Sequence, residues 1–333
     1  MTRHGNNDRD GRQMSEPNGL EAALRAVAGA RLQAVRAGEA GSAGAVVVAE
    51  GLDDAARAEL ESRLQAAART AGVAALRVGM TASRRHRRII VVGSGKGGVG
   101  KSTLSANLAV ALGRLGRKVG LVDADIYGPS QARLLDSEGQ RPEAKANKLI
   151  PVQGRFGVPM LSMAHLVAPG QPIAWRGPMA GNALGQLIDA EWGDAELIVV
   201  DLPPGTGDVQ LTMLQKHKPA GALIVSTPQD LALIDATRAI GLFRQGGVPL
   251  IGMVENMAGY LCPHCGQPSD PFGHGGAQRA AAELGLPFLG RIPLALTSRQ
   301  DSDAGNPVAA GEGPLADAFI AIARAVSDWL DRG

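Results

Sequence analysis

The hydrophobic pattern of the chain changes character near residue 89. Before that point, Ala-rich stretches with apolar spacings of three and four predict helices over 20–37 and 52–71, and short apolar runs predict strands over 45–49 and 73–78. The order predicts a small helix–strand–helix–strand unit. It contains no Cys and no His, so we expect no catalytic side chain there.

From Ile89 onward, continuous apolar runs of strand length alternate with helical stretches. The predicted strands are 89–93, 119–122, 196–200, 222–225, 250–254 and 288–292, and the clearest helices are 102–115 and 314–330. Such runs are typical of parallel strands that are buried on both faces. We therefore predict an α/β fold, a mostly parallel, doubly wound sheet with helices on both faces, preceded by a small N-terminal α+β appendage. Residues 132–195 give no clear order, and Pro/Gly-rich segments such as 168–172 predict ordered loops.

The polar start of the chain and a basic run mark the expected boundaries. The predicted segments are a disordered tail at 1–18, a small domain at 19–82, a solvated basic linker at 83–88 and a main domain at 89–333. With 34 basic and 32 acidic side chains, the chain gives no argument for a nucleic acid or a membrane as partner. Two cysteines, no apolar stretch of membrane length and no secretory signal predict a soluble cytoplasmic protein.

The strongest chemical signal is a glycine-rich loop between a predicted strand and a predicted helix. Its residues are Gly95, Lys96, Gly97, Gly98, Val99, Gly100, Lys101, Ser102 and Thr103, which fit G-x-x-x-x-G-K-[ST]. Glycines let backbone N–H groups converge on phosphate oxygens at the positive end of the helix. In this motif the lysine, here Lys101, reaches the β- and γ-phosphates, and the hydroxyl of Ser102 ligates Mg²⁺. We predict an ATP site.

Carboxylates follow two of the predicted strands. Asp123 and Asp125 end the run at 119–122, and Asp201 ends the run at 196–200. Alternation along a strand places Asp123 and Asp125 on one side, unless a turn splays them apart. One carboxylate near the γ-phosphate can orient the attacking water and another can hold Mg²⁺. Asp201 resembles the end of a Walker B strand and is expected to hold Mg²⁺ through a water, the alternative being a helix cap.

The second lysine of the loop, Lys96, makes it similar to the deviant Walker A loop of the SIMIBI class of NTPases, which includes MinD, ParA and the nitrogenase iron protein. This resemblance implies that Lys96 reaches the nucleotide of the opposite subunit in an ATP-sandwiched dimer. It also implies that Asp125 orients water and that Asp123 has a metal or switch role.

Several longer motifs resemble the Mrp/ApbC family of P-loop ATPases, which carry iron–sulfur clusters. They are D-A-D-I-Y-G-P-S at 123–130, W-R-G-P-M at 175–179, D-L-P-P-G-T-G-D at 201–208, V-E-N-M at 254–257 and C-P-H-C at 262–265. The likeness covers about residues 88–330. It implies that Asn256 reads the adenine edge, the alternative being an ordinary polar residue at a strand end. It also implies that Cys262 and Cys265 are cluster ligands.

The cysteine pair supports this from its own chemistry. C-x-x-C is a half-site for a soft metal, whereas iron–sulfur clusters and structural zinc usually need four ligands. The chain has no third cysteine. The missing pair is expected from a second subunit, which gives a [4Fe–4S] cluster bridging a homodimer. Zinc at the same sulfurs and a redox-active dithiol are the alternatives, and His264 is expected to be a non-ligand.

The resemblance therefore predicts an ATPase that binds a [4Fe–4S] cluster and transfers it to apo iron–sulfur proteins. One alternative is a MinD/ParA-type regulator with a structural zinc or thiol C-x-x-C. The C-terminal helix has a formal charge of −1 over 314–333, which does not suit a membrane anchor. A third hypothesis is electron transfer, but the proteins of that class use two well-separated cysteines.

Overall fold

The computed structural model describes residues 17–38, 41–49, 52–81, 87–167 and 178–332. The chain divides into two compact units, residues 1–85 and 86–333. Most of the predicted tail at 1–18 and of the basic run at 83–88 lies outside the described residues, as do the loop at 168–172 and three residues of W-R-G-P-M. The unit boundary falls within the predicted linker.

The first unit packs two helices against a three-stranded sheet. Its elements are α1 (Pro17–Ala28), β1 (Leu32–Ala37), β2 (Ser42–Val48), α2 (Asp54–Thr70) and β3 (Ala75–Thr81). β1 runs antiparallel to β2, which runs parallel to β3. Leu24, Val47 and Leu64 are fully buried in a core of their own. A helix N-cap holds the start of α2, where the Asp53 side chain accepts from the Ala56 N–H at 2.8 Å.

The prediction of one helix over 20–37 is wrong in its second half. The helix ends at Ala28, Gly29 adopts φ 56°, and Leu32–Ala37 forms a strand. The Ala-rich pattern is ambiguous there, and pairing with β2 decides the outcome. The unit is therefore helix–strand–strand–helix–strand. In addition, Arg88, expected in the linker, is the first residue of a strand.

The second unit is an α/β sandwich. Its helices are α3 (Lys101–Arg114), α4 (Gln131–Leu134), α5 (Pro178–Ile188), α6 (Asp208–Thr212), α7 (Asp230–Gln245), α8 (Gly276–Glu283), α9 (Leu296–Asp303) and α10 (Pro314–Arg332). Its strands are β4 (Arg88–Ser94), β5 (Val119–Asp123), β6 (Glu143–Lys145), β7 (Lys148–Ile150), β8 (Val152–Gln153), β9 (Pro159–Ser162), β10 (Leu197–Asp201), β11 (Gly221–Ser226), β12 (Leu250–Leu261), β13 (Pro268–Ser269) and β14 (Phe288–Leu294).

The main sheet has the order β13-β12-β11-β4-β10-β5-β9-β8, with β14 paired to β12. The ladders that join β14, β12, β11, β4, β10, β5 and β9 are parallel. At the ends of the sheet, β8 runs antiparallel to β9, and β13 runs antiparallel to β12. The predicted fold class is confirmed, and all six predicted strands are present. β6–β9 were not predicted, because strands of only two to four residues are too short to show a hydrophobic period.

Two apolar cores lie on opposite faces of this sheet. Ile90 and Val92 of β4 face one core, and Val91 faces the other, as strand alternation requires. α3 packs in the first core with α10, and it is buried on nearly every side. No helix in the described ranges is long and apolar enough to cross a membrane. Burial on both faces holds the carboxyl ends of the strands rigidly in one row.

Candidate functional site

The glycine-rich loop connects β4, in the middle of the sheet, to α3. Gly98 and Gly100 adopt φ values of 79° and 84°, a left-handed conformation that glycine enters without strain. Gly95 has no room for a side chain, because an added Cβ would lie 2.0 Å from the backbone carbonyl carbon of Asp235 in α7. The loop therefore turns sharply against α7 and delivers the chain to the N-terminus of α3.

Lys101, the first residue of α3, is buried between two carboxylates. Its Nζ lies 2.7 Å from Asp201 Oδ1 and 3.8 Å from Asp125 Oδ2. The Ser102 hydroxyl lies 3.4 Å from the same Nζ. With 6% of its side chain exposed, the ammonium depends on these partners for its charge to be stable.

Asp201 is fully buried at the end of β10 and is held on both oxygens. Oδ1 also accepts from Ser105 Oγ at 2.9 Å, and Oδ2 accepts from Gln131 Nε2 at 2.8 Å. β10 lies between β4 and β5, so that Asp201 stands beside Asp123 in the ladder. The structure thus brings the phosphate loop and both strand-end carboxylates to one edge of the sheet.

Asp123 and Asp125 do not share one side of a strand, because β5 ends at Asp123. The Asp123 carboxylate is fully buried and accepts from the Asp125 N–H at 3.1 Å, the Gln131 N–H at 3.0 Å and Ser162 Oγ at 2.9 Å. Burial, with the neighbouring Asp201 charge, raises the pKa of Asp123 to about 7. Its hydrogen bonds therefore join the segment that follows β5 to Ser162 at the end of β9.

Asp125 lies in that loop and faces the lysine. Its Oδ1 accepts from the backbone N–H groups of Tyr127 and Gly128 at 3.1 and 3.2 Å, which fixes its orientation. Asp125, Lys96 and Lys101 line a cavity of about 260 Å³ together with the glycines of the loop. The cavity therefore presents two lysines and a carboxylate around the loop.

Asn256 lies on the other side of the loop. Its Nδ2 donates to the Val99 carbonyl at 2.8 Å, and it packs so closely that a Cβ on Gly100 would meet Nδ2 at 2.0 Å. A cavity of about 450 Å³ opens between the loop and the β14–α9 connection, lined by Gly100, Thr103, Asn256, Pro293 and Arg299 among others. The two cavities share Gly100, Ser102 and Thr103, so that one elongated ligand can reach both.

The two cysteines lie at the tip of a hairpin that extends β12. Tyr260 pairs with Ser269, the Cys262 N–H donates to Gln267 O at 3.1 Å, and the Gly266 N–H donates to Cys262 O at 2.9 Å. Cys262 is half-buried and Cys265 is exposed. Hydrogen bonds from the backbone N–H groups of Cys265 and His264 lower the pKa of the Cys262 thiol, which favours the thiolate.

Within one chain, this hairpin offers too few ligands to hold a metal ion. Across the described ranges, no three His, Cys, Asp or Glu side chains are grouped so that they could hold a metal ion. Two neighbouring sulfurs are available, and a tetrahedral or cluster site needs further ligands from outside these residues.

Two side chains near the site were given no role in the sequence analysis. Gln131 bridges Asp201 and Ser102, and Glu255 accepts from the Gly275 and Ala277 N–H groups at 3.2 and 2.8 Å. Glu255 thereby closes the base of the segment that carries both cysteines. The position of Glu255, at the end of an apolar run and next to Asn256, could have indicated a buried, hydrogen-bonded carboxylate. Nothing in the sequence around Gln131 indicates its contacts.

Comparison with known proteins assigns the family. A family model described as ParA, NUBPL iron-transfer P-loop NTPase, matches residues 85–327. The chain belongs to this family. The resemblance read from the motifs is confirmed, and the P-loop NTPase fold with it.

Relatives and solved structures of the family agree. The chain is 48% identical to a protein of Pseudomonas fragi named iron-sulfur cluster carrier protein, over 226 residues that cover 67% of this chain and 78% of the relative. The fold is similar to a nucleotide-binding protein of Archaeoglobus fulgidus in complex with ADP (TM-score 0.62, 36% identity, 71% and 93% of the two chains). It is also similar to MinD of Pyrococcus horikoshii with Mg-ADP (TM-score 0.57, 25% identity, 73% and 97%).

Proposed function

We propose that the chain is an ATP-hydrolysing iron–sulfur cluster carrier, which binds a [4Fe–4S] cluster as a homodimer and transfers it to apo-proteins. The observation that carries the proposal is a pair of cysteines on the strand that also contacts the phosphate loop. β12 carries Asn256 against Val99 and continues into the hairpin of Cys262 and Cys265. The names of the relatives support the carrier over the regulator.

The phosphate loop is assigned to ATP. Backbone N–H groups of Gly95–Thr103 surround the phosphates, Lys101 contacts the β- and γ-phosphates, and Asn256 contacts the base in the larger cavity. Lys96 is assigned to the nucleotide of the partner subunit. Its side chain forms no ion pair with the described part of its own chain, which leaves the ammonium available.

The residues around Lys101 fit Mg²⁺, since they provide the hard oxygen donors that this cation prefers. Ser102 would hold the ion by its hydroxyl and Asp201 through water, and a buried acceptor, Gln131 Oε1, lies unpaired among the described residues beside them. When bound, Mg²⁺ neutralises charge that develops on the phosphates. For Asp123, two hydrogen bonds from the segment that follows β5 and a third from Ser162 of β9 favour the switch role over direct ligation.

Hydrolysis is assigned to Asp125. Its carboxylate is oriented by the Tyr127 and Gly128 N–H groups and lies 3.8 Å from the Lys101 ammonium, next to the expected γ-phosphate position. A carboxylate there orients water for in-line attack.

The cluster is the cargo, and a second copy of the chain completes its site. Four thiolates result when the two hairpins meet across a two-fold axis. Exposed apolar side chains at the same edge of the sheet support such a contact: Tyr127 is 79%, Leu231 72% and Ile234 53% exposed. We assign nucleotide and cluster chemistry to the domain at 89–333, and none of it to the domain at 19–82, which lacks cysteine.

A transfer assay tests this proposal. The chain is loaded anaerobically with iron and sulfide, freed of small molecules and mixed with an apo-enzyme that requires a [4Fe–4S] cluster. Activity of the acceptor should return with the wild type and with His264→Ala, and should fail with Cys262→Ser. Equal activation by Cys262→Ser would show that the cluster does not come from the cysteine hairpin.

A further inference from the structure

Gln131 ties three parts of the nucleotide site together, although no motif contains it. It is fully buried at the first position of α4. Its Nε2 donates to the Ser102 carbonyl at 2.9 Å and to Asp201 Oδ2 at 2.8 Å, while its backbone N–H donates to Asp123 Oδ2 at 3.0 Å. Since a carbonyl and a carboxylate can only accept, the amide nitrogen must face them, and this fixes the direction of the amide oxygen.

That oxygen, Gln131 Oε1, is buried and has no hydrogen-bond partner in the described part of the chain. A buried acceptor without a donor is destabilising, and native proteins usually satisfy such atoms with water or a ligand. The atoms beside the amide belong to Ser102 and Asp201, the two residues assigned to the cation. The unpaired acceptor therefore points to a donor supplied by that site.

We infer that Gln131 is a positioning residue of the Mg²⁺ site. Its Nε2 orients the Asp201 carboxylate, and its Oε1 accepts a hydrogen bond from a water ligand of the cation. Mg²⁺ keeps several waters in protein sites, and each of them is a donor. The inference rests on the nucleotide site proposed above. It also links the cation to the loop after β5, since the backbone of Gln131 holds Asp123.

The test measures ADP affinity with Mg²⁺ and with EDTA, and Mn²⁺ affinity by electron paramagnetic resonance in the presence of ADP. The variants are Gln131→Met, which removes both polar atoms, and Gln131→Asn, whose amide is one methylene too short. The wild type should bind ADP more tightly with Mg²⁺. Both variants should lose about tenfold of that gain and of the Mn²⁺ affinity, as expected for one or two lost hydrogen bonds, and should keep the wild-type affinity in EDTA.

Gln210→Met is the matched control. Gln210 is also buried at this edge, but its Nε2 donates to the carbonyls of Pro203 and Gly205 rather than to a carboxylate. It should retain the Mg²⁺-dependent gain. If both Gln131 variants keep the gain, or if Gln210→Met loses it equally, the role of Gln131 is overturned. If the wild type binds no ADP or gains nothing from Mg²⁺, the proposed nucleotide or cation site itself has failed.

Discussion

Lys101 is the residue on which the electrostatics of the phosphate loop depend. Its ammonium is the nearest cation to two carboxylates at a crowded edge of the sheet, Asp201 at 2.7 Å and Asp125 at 3.8 Å. Removing one partner of a buried ion pair leaves the other without compensation, which typically costs about 3–5 kcal/mol unless the remaining group changes its protonation.

We expect Lys101→Ala to abolish ATP hydrolysis and to lower the thermal stability of the nucleotide-free protein. The cysteine hairpin is built from other elements, so the variant should still bind iron and sulfide in wild-type amounts. Phosphate release and iron content, measured on the same preparation, check both parts. Hydrolysis at the wild-type rate would show that the assigned site is wrong.

At this scale, the motifs predicted most of what the structure brings together. Glycine spacing and strand-end carboxylates are encoded locally, so that the loop, Asp125 and Asp201 could be placed from sequence. The contacts of Gln131 could not, because they depend on how the loop after β5 closes over α3. The separation of Asp123 from Asp125 follows from the same loop, since β5 ends one residue after Val122.

The elements around the site are packed so closely that, at some positions, the backbone of a neighbouring element leaves room only for glycine. β4, α3 and α7 meet at Gly95, where an added Cβ would lie 2.0 Å from Asp235 C and 2.3 Å from Ala236 N. At Gly97, the nearest atom to an added Cβ is Pro204 Cγ at 4.0 Å. Gly95 and Gly97, in the same loop, therefore allow the same substitution to be compared at a blocked and at an open position.

Gly95→Ala should destabilise the nucleotide-free protein by about 2 kcal/mol or more, because rigid backbone in α7 must move. Gly97→Ala should cost less than about 1 kcal/mol, since the methyl group meets no atom in overlap. Urea unfolding of both variants beside the wild type measures the difference. Equal destabilisation would mean that the contact between the loop and α7 does not restrain the loop.

The segment that supports Asp123 carries a buried histidine. His165 Nδ1 accepts the Ser162 N–H at 3.2 Å, and Nε2 lies 3.2 Å from Ser137 Oγ. Burial lowers the pKa of His165 below its usual value of 6.5. The unfolded chain therefore binds more protons than the folded chain below about pH 6.5, and the free energy of unfolding falls as the pH falls through that range.

His165→Asn should reduce this acid sensitivity, because an amide can accept the same N–H and carries no charge at any pH. The loss of thermal stability between pH 7 and pH 5 should be smaller in the variant than in the wild type. A loss of equal size in both proteins would place the acid-sensitive group elsewhere.

The prediction of strands succeeded where a strand is buried on both faces and its sequence is therefore a continuous apolar run, as in β4 and β10. It failed over 20–37, where an Ala-rich pattern suits a helix and a strand alike and the partner β2 decides. It gave no strands over 132–195, because β8 and β9 are too short to show a period and β9 is held by pairing with β5, which lies much earlier in the chain.

At the scale of the whole molecule, the nucleotide site and the cysteine pair share one edge of the second unit and one strand. Asn256 and Cys262 are both carried by β12 or its hairpin, and Glu255 ties the far end of that segment back to the sheet. This arrangement gives the proposed ATP site a covalent and hydrogen-bonded connection to the two cysteines proposed as cluster ligands. In the proposed dimer, two such edges face each other.

Native mass spectrometry after anaerobic reconstitution, with iron, sulfide and zinc counted on the same sample, tests this dimer. We expect a dimer that carries about four irons and four sulfides, as a cluster with two thiolates from each subunit requires, and loses them in Cys262→Ser. A monomer that keeps its cluster, or a dimer that holds zinc alone at the cysteines, would contradict it.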